Sequence, residues 1–179
     1  MEKQVFLLCG KARCGKDLAA TMIKEYYENK GVRTIITSLA KYIKMYAKEI
    51  TGWDGKEEDK PRTLLQELGT DVVREHLGKK DIYANRLLDD IDIYHYYAPV
   101  VVIKDVRFPE EIQIIKSKFP NALTIHIKRI NFTNELTEKQ KLHASEVALD
   151  NYHDFDYEII NDNQDKFKED IINILEGIK

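Results

Sequence analysis

The sequence lacks the features that mark several large classes of protein. Its only cysteines are Cys9 and Cys14, which are too few for the disulfide framework of a small secreted domain. No window holds eighteen consecutive apolar residues, and the apolar run after Gln4 is five residues long, shorter than the core of a signal peptide or a membrane span. These absences predict a cytoplasmic protein that has no membrane partner.

Neither sign of charge dominates the sequence. Lysine and arginine together number 28, aspartate and glutamate 31, and the net charge is −3. A nucleic-acid binder usually shows a basic excess or a basic stripe, so DNA and RNA are not expected as partners. A small anionic ligand needs only a local positive site and remains compatible. With 43% hydrophobic and 33% charged residues in a chain of 179, the composition is that of one globular domain.

Strand-like and helix-like segments alternate along the chain. Apolar, β-branched runs predict strands at residues 5–9, 32–37, 100–103, 122–127 and 157–160. Amphipathic spacing predicts helices at 16–29, 40–50, 61–76, 82–93, from 109, and at 167–178, whereas the charged stretch 52–61 predicts a loop. This order predicts an α/β fold, a five-stranded parallel sheet flanked by helices, in a single domain over residues 1–179.

The segment between the first strand and the first helix has the form G-x-x-x-x-G-K. Its glycines let the backbone curl so that successive N–H groups face a phosphate, and its lysine reaches the β- and γ-phosphates of a nucleotide. The alternative is a glycine-rich turn with a solvated lysine, but the position between strand and helix favours a phosphate loop. The residues predicted to bind nucleotide are Gly10, Ala12, Arg13, Cys14, Gly15, Lys16 and Asp17.

Two carboxylates are candidate ligands of Mg²⁺. Asp17 stands where a phosphate loop usually has Ser or Thr, and its oxygen also suits the N-terminus of a helix, which is the alternative interpretation. Asp105 follows the strand at 100–103, and ligands of parallel sheets bind at the carboxyl ends of strands. We therefore expect Asp105 to face the phosphate loop and hold the cation directly or through water. Arg107 is expected to point at an acceptor phosphate, with a local salt bridge as the alternative.

These residues resemble the phage-type deoxynucleoside monophosphate kinases. The loop at 10–17, with Asp at its end, is similar to theirs and equally to that of the related animal-type phosphomevalonate kinases. Residues 39–44, 105–107, 143–146 and 156–161 agree with the family in the same order. Residues 61–74 closely resemble the deoxynucleotide kinases and the phosphomevalonate kinases much less.

The resemblance implies a nucleoside monophosphate kinase-like P-loop fold with Mg²⁺-ATP as the phosphoryl donor. It implies a helical acceptor-binding insert at about 39–97 and a lid at about 129–142, which contributes Arg129 to the nucleotide site. Lys16, Asp105 and Arg107 would be catalytic. Tyr83 would stack on a base or be a buried helical tyrosine, and Gln66, Thr70 and Asp71 offer polar groups to a base edge from one helix face. The acceptor candidates are Lys44, Arg62, Gln66, Thr70, Asp71, Arg74 and Tyr83.

Together these features predict an ATP-dependent kinase that phosphorylates a deoxynucleoside monophosphate to the diphosphate. A phosphomevalonate kinase and a non-catalytic nucleotide-binding protein are the alternatives. The single arginine of the lid and the unusual Asp17 favour the non-catalytic alternative, whereas Lys16 and the 105–107 turn oppose it. Small-molecule nucleotides are the expected partners, and the protein is expected to be a monomer or a homodimer.

Overall fold

A parallel five-stranded sheet forms the centre of the molecule. The computed structural model describes residues 2–130, 132 and 136–178. The strands are β1 (Gln4–Cys9), β2 (Thr34–Thr37), β3 (Val100–Val106), β4 (Leu123–Lys128) and β5 (Tyr157–Ile160), in the order β2-β3-β1-β4-β5. Every neighbouring pair is parallel. The predicted five-stranded parallel sheet is confirmed.

The central strand β1 is covered on both faces, which explains its unbroken apolar sequence. Val5 and Leu7 point into one hydrophobic cluster and Phe6 and Leu8 into the other, because successive side chains of a strand alternate between faces. All four side chains are almost completely buried. This packing fixes the carboxyl end of β1, from which the phosphate loop leaves.

Helices cover both faces of the sheet and build the predicted insert. They are α1 (Lys16–Glu28), α2 (Ala40–Thr51), α3 (Arg62–Gln66), α4 (Ile82–Tyr97), α5 (Pro109–Lys118), α6 (Glu138–Lys141), α7 (Ala144–Val147) and α8 (Gln164–Gly177). Residues 52–61 contain no helix or strand, as predicted. The short helices α6 and α7 were not expected from the sequence.

Only the first part of the helix predicted at 61–76 is an α-helix. After α3 the backbone continues as a π-helix over Glu67–His76. Gly69 lies in this segment, and a Cβ added there would approach the Ile43 Cδ1 of α2 to 2.7 Å. The absence of a side chain therefore lets α2 pack directly on the π-helix backbone. π-Helical turns occur frequently at functional sites, and this one carries several of the acceptor candidates.

Within the ranges given above, no helix is both long and apolar enough to cross a membrane.

Candidate functional site

The loop between β1 and α1 is held in a conformation that only glycine permits at two positions. Gly10 and Gly15 have φ angles of 138° and 114°. A Cβ on Gly10 would lie 2.4 Å from the Ile127 carbonyl oxygen, and one on Gly15 would lie 2.4 Å from the Asn161 Nδ2. Asn161 Nδ2 also donates to the Cys14 carbonyl oxygen at 2.9 Å. The ends of β4 and β5 thus clamp the loop, as a phosphate cradle requires.

Lys16 is the buried cation of this loop. Its Nζ donates to the Gly10 and Lys11 carbonyl oxygens at 2.7 and 2.6 Å. Burial, followed by the positive charge of Arg107, lowers the pKa of Lys16 below the ordinary lysine value. The partners of the ammonium are neutral carbonyl groups. Lys16 also lines the neighbouring cavity, where a phosphate would bind the ammonium more strongly than the carbonyls do.

A cavity of about 350 Å³ joins the loop to the insert and to the end of β3. Its lining is richer in cationic than in anionic side chains, although the whole chain has a net charge of −3. The cations of the lining are Arg13, Lys16, Lys44, Lys60, Arg62, Arg74, Lys104 and Arg107, and the acids are Asp17, Glu57, Asp105, Glu111 and Glu146. Positive charge is therefore concentrated where a strand, a glycine loop and a helix N-terminus meet.

Asp105 lines this cavity, but it lies within a strand, whereas the sequence predicted that it follows one. It belongs to β3, which extends to Val106 rather than ending at residue 103. Its carboxylate accepts hydrogen bonds from Ser38 Oγ at 2.7 Å and from the backbone N–H groups of Leu39 at 2.7 Å and Ala40 at 2.9 Å. Asp105 thus fixes the first turn of α2, a contact that the sequence did not reveal because the partners are more than sixty residues away.

Replacement of Asp105 by Ala should lower the free energy of unfolding by about 1–2 kcal/mol, because the start of α2 loses a carboxylate that satisfies three donors. Urea denaturation measures this loss. The control is Asp162→Ala, which removes an exposed carboxylate and should change stability by less than about 0.5 kcal/mol. Equal stabilities of the two variants would show that Asp105 does not hold α2.

Asp17 is exposed at the first turn of α1 and forms an ion pair with Lys104 of β3. Partial burial would raise the pKa of Asp17, but the hydrogen bond and charge of Lys104 outweigh this effect and hold the pKa below its usual range. The carboxylate is therefore ionised and reaches the cavity from the loop side. Lys104 itself was not singled out in the sequence, although it directly precedes Asp105.

The described residues show no cluster of three or more His, Cys, Asp or Glu side chains suited to a metal ion. This agrees with the chemistry of Mg²⁺ in phosphotransferases, which takes one or two carboxylates and completes its shell with waters and phosphates. Asp17 fits that requirement because its side chain is exposed and ionised. Asp105 fits it less well, since its oxygens already accept three hydrogen bonds.

The acceptor candidates differ in how far they are exposed. Lys44, Arg62 and Gln66 line the cavity as partly exposed side chains, whereas Thr70 lines it but is almost completely buried. Arg62 is paired with Glu57 at 2.7 Å. Lys60, which the sequence analysis missed, lies beside them and contacts the same glutamate at 3.0 Å. Both Lys60 and Glu57 lie in the loop 52–61, where the sequence offered no motif to single them out.

Asp71 does not line the cavity, contrary to its expected place beside Gln66 and Thr70. Its side chain is mostly exposed and lies 3.4 Å from His143 Nε2. One step along a helix turns a side chain by about a quarter of a turn or more, so the residue after the cavity-facing Thr70 points outward. Spacing alone could not decide which edge of the helix faces the ligand.

Tyr83 also lines the cavity, but only 1% of its surface is exposed. The structure thus favours the buried helical tyrosine over a ring open for stacking. Its hydroxyl oxygen is buried without a hydrogen-bond partner among the described residues. Burial raises the pKa of Tyr83 to about 12, so the hydroxyl remains protonated and able to donate.

Arg74 is engaged by the protein itself rather than presented to a ligand. It is 3% exposed, pairs with the buried Glu111 and with Glu110 at 3.2 Å, and lies 3.9 Å from the centre of the Phe108 ring. The other oxygen of Glu111 accepts from the backbone N–H groups of Arg107 at 2.8 Å and Phe108 at 3.1 Å. Burial raises the pKa of Glu111, and the positive charge of Arg74 opposes that rise. This pair shapes the turn that carries Arg107, and the sequence analysis did not identify Glu111.

The presumed lid is described only in part, because residues 131 and 133–135 lie outside the described residues. Arg129 donates to the Arg13 carbonyl oxygen at 3.3 Å and lies over the Phe132 ring, so it contacts the phosphate loop without lining the cavity. At the other end of the lid, Gln140 Nε2 donates to Thr63 Oγ1 at 3.1 Å. The described ends of the lid therefore contact the loop and the insert.

Comparison with solved structures identifies proteins of similar fold. Similar solved structures include a sugar kinase from Janibacter sp. (11% identity, 98% of this chain and 95% of that chain, TM-score 0.50). Others are an APS kinase from Mycobacterium tuberculosis in complex with AMPPNP and APS (14%, 98% and 98%, 0.49) and a shikimate kinase from Acinetobacter baumannii in complex with shikimate (12%, 100% and 97%, 0.49). At these identities the likeness concerns the fold alone. No curated protein matches the sequence significantly.

The family comparison is independent of the phosphate loop. The family model for deoxynucleotide monophosphate kinase matches residues 52–171, which include most of the insert, the Asp105–Arg107 turn and the α7 segment but not residues 10–17. The matched region covers about two thirds of the chain, and the loop outside it has the geometry that a nucleotide kinase needs. The chain belongs to the deoxynucleotide monophosphate kinase family.

Proposed function

We propose that the protein transfers the γ-phosphoryl group of ATP to a deoxynucleoside monophosphate and releases ADP and the deoxynucleoside diphosphate. The observation that carries this proposal is the single cavity that runs from Lys16 of the phosphate loop to the polar side chains of the insert. Phosphates bound at Lys16 and a phosphate bound at the insert would therefore lie in the same cavity. The family match over the insert supports a deoxynucleotide as the acceptor.

The donor would bind with its phosphates along the backbone N–H groups of the loop 10–17, apart from that of Ala12, which donates to Glu146. Lys16 then exchanges its carbonyl partners for β- and γ-phosphate oxygens, because anionic oxygens bind an ammonium more strongly than carbonyls do. The ammonium neutralises charge that moves toward the leaving β-phosphate during transfer. Its low exposure strengthens that interaction, since water is excluded around it.

The acceptor monophosphate would lie between the loop and the insert, where Lys44, Arg62 and Arg107 face the same space. Its attacking oxygen is already anionic, so the reaction requires alignment and charge neutralisation rather than a general base. The buried Tyr83 hydroxyl and the Gln66 amide supply polar contacts deeper in the cavity. A polar group of the acceptor would satisfy the unpartnered hydroxyl, which is costly to leave unpaired.

Asp17 would hold Mg²⁺ together with phosphate oxygens of the nucleotide, and the cation would supply positive charge to the transferring group. Asp105 would act less directly, because its oxygens already accept three hydrogen bonds. Asp17 would have to leave its ion pair with Lys104 for this role. The positive charges of Lys16 and Lys44 also lower the pKa of Asp17, which favours the ionised carboxylate.

Replacement of Asp17 by Asn should raise the Mg²⁺ concentration needed for half-maximal rate by about tenfold, because a charged oxygen ligand becomes a neutral one. A titration of the rate against Mg²⁺ at saturating ATP measures the shift. The matched control is Asp89→Asn, which changes an exposed acid of α4 that does not line the cavity. Superimposable Mg²⁺ curves for the Asp17 variant and the wild type would remove Asp17 from the metal site.

The substrate assignment is tested by ADP release with a panel of acceptors at fixed Mg²⁺-ATP. The panel contains the four deoxynucleoside monophosphates, the matching ribonucleotides and phosphomevalonate. The proposal predicts that at least one deoxynucleotide is turned over faster than every other class. Faster turnover of phosphomevalonate would show that the protein is a kinase with a different acceptor. ATP binding without turnover of any acceptor would support the non-catalytic alternative.

A further inference from the structure

Glu146 makes a contact that the proposed function does not use. It lies on α7, within the stretch 143–146 that the sequence analysis noted only for its resemblance, and it is 9% exposed. One of its oxygens, Oε2, accepts a hydrogen bond from the Ala12 backbone N–H at 2.8 Å and forms an ion pair with Arg107 Nη1 at 2.9 Å. A buried carboxylate therefore connects the phosphate loop to the arginine that faces the acceptor.

The shared oxygen sets the separation of these two donors. Both contacts end on the same Glu146 oxygen. The distance from Ala12 N to Arg107 Nη1 therefore cannot exceed the sum of the two contact distances. Phosphoryl transfer depends on the distance between the groups that hold the donor and those that hold the acceptor, and a misplacement of about 1 Å can lower the rate about 10²-fold. Glu146 fixes such a distance.

The segment that carries Glu146 lies beside the loop. The Ser145 backbone N–H donates to His143 Nδ1 at 3.2 Å at the start of α7, and Arg107 Nη1 lies 3.5 Å from the Ser145 carbonyl oxygen. Asp150 pairs with Lys11 at 2.9 Å, but this ion pair is exposed and contributes little. The start of α7 and the ion pair with Arg107 therefore place the carboxylate.

A carboxylate this close to a phosphate-binding loop repels phosphates, so its position requires a compensating role. We propose that Glu146 is a positioning residue that holds the Arg107 guanidinium against the phosphate loop in the orientation needed for transfer. Glu111 holds the backbone of Arg107 through a separate bond, and Glu146 holds its side chain. The expected loss of kcat rests on the proposed function, whereas the expected restraint of the Arg107 side chain does not.

The kinetic test compares Glu146→Gln with Glu146→Ala. Gln keeps an oxygen that can accept from Ala12 and Arg107, whereas Ala removes both bonds. The proposal predicts that Glu146→Ala lowers kcat about 10²-fold with little change in the affinity for Mg²⁺-ATP, and that Glu146→Gln restores part of the loss. In an Arg107→Met background, Glu146→Ala should cost little more, because Glu146 acts through that arginine. Glu169→Ala, an exposed change on α8, is the control and should leave the rate unchanged.

A second readout does not require turnover. In ¹⁵N spectra of arginine side chains, the Arg107 Nε–H signal of the wild type should show slow, restricted motion, and Glu146→Ala should make it mobile while the other arginine signals stay in place. If the wild type turns over no deoxynucleotide, the proposed function fails and this spectrum still tests the contact. An immobile Arg107 in a folded Glu146→Ala variant would overturn the proposal. Tighter Mg²⁺-ATP binding with undiminished kcat would also overturn it, since Glu146 would then be only an anion that competes with phosphates.

Discussion

Replacement of Lys16 by Met should lower kcat by about 10²–10³-fold while the protein stays folded, because the transferring phosphoryl group loses the buried cation that neutralises it. Met fills a similar volume, so the packing around the loop is kept. The carbonyl oxygens of Gly10 and Lys11 lose a donor, but the loop is still clamped by Asn161 and by the close contact with β4. The rate is measured as ADP release with a saturating acceptor, and folding by circular dichroism.

The matched control lies in the same loop. Lys11 is exposed, forms an ion pair with Asp150 and does not line the cavity. Lys11→Met therefore also removes one positive charge from the loop, five positions before Lys16, and should leave kcat within about threefold of the wild type. A folded Lys16→Met enzyme as active as the Lys11→Met enzyme would show that the loop does not bind the transferred phosphate.

Replacement of Arg74 by Leu should lower the free energy of unfolding by about 3–5 kcal/mol. The change leaves the Glu111 carboxylate buried without its guanidinium partner, and an uncompensated buried charge is strongly destabilising. Chemical denaturation measures the loss. Arg33→Leu, which removes an exposed arginine, is the control and should change stability by less than about 0.5 kcal/mol.

A double variant identifies the cause of that loss. If the unpaired carboxylate is responsible, Glu111→Gln added to Arg74→Leu should restore a large part of the stability, because the amide carries no charge and its oxygen can still accept from the backbone N–H groups of Arg107 and Phe108. A loss below about 1 kcal/mol for Arg74→Leu, or no recovery in the double variant, would contradict the structural role of the pair. Arg74 would then return to the list of acceptor contacts.

The sheet and the phosphate loop could be predicted because their signals are local. A strand buried on both faces reads as a short apolar run, and β1 and β3 both show one. The glycine spacing of the loop indicates positions where the backbone needs a positive φ angle, and Gly10 and Gly15 have such angles. In each case the residues that create the feature lie within a few positions of one another.

The remaining parts of the site depend on contacts between distant segments. Asp105 was expected to bind metal, yet its oxygens hold the start of α2, and no pattern near residue 105 names Ser38 as a partner. The outward direction of Asp71 depends on how the π-helix packs on α2. Glu146 joins Ala12 to Arg107 across most of the chain length. Such pairings arise only when the tertiary structure brings the segments together.

The central claim is that one cavity brings the γ-phosphate of ATP to a deoxynucleoside monophosphate. Its most direct test incubates the protein with ATP labelled at the γ-phosphorus, Mg²⁺ and each deoxynucleoside monophosphate in turn, and separates the products by chromatography. We expect the label to appear in a deoxynucleoside diphosphate for at least one acceptor, and Lys16→Met to form this product about 10²–10³-fold more slowly. Label that appears only as inorganic phosphate, or that stays in ATP with all four acceptors, would contradict it.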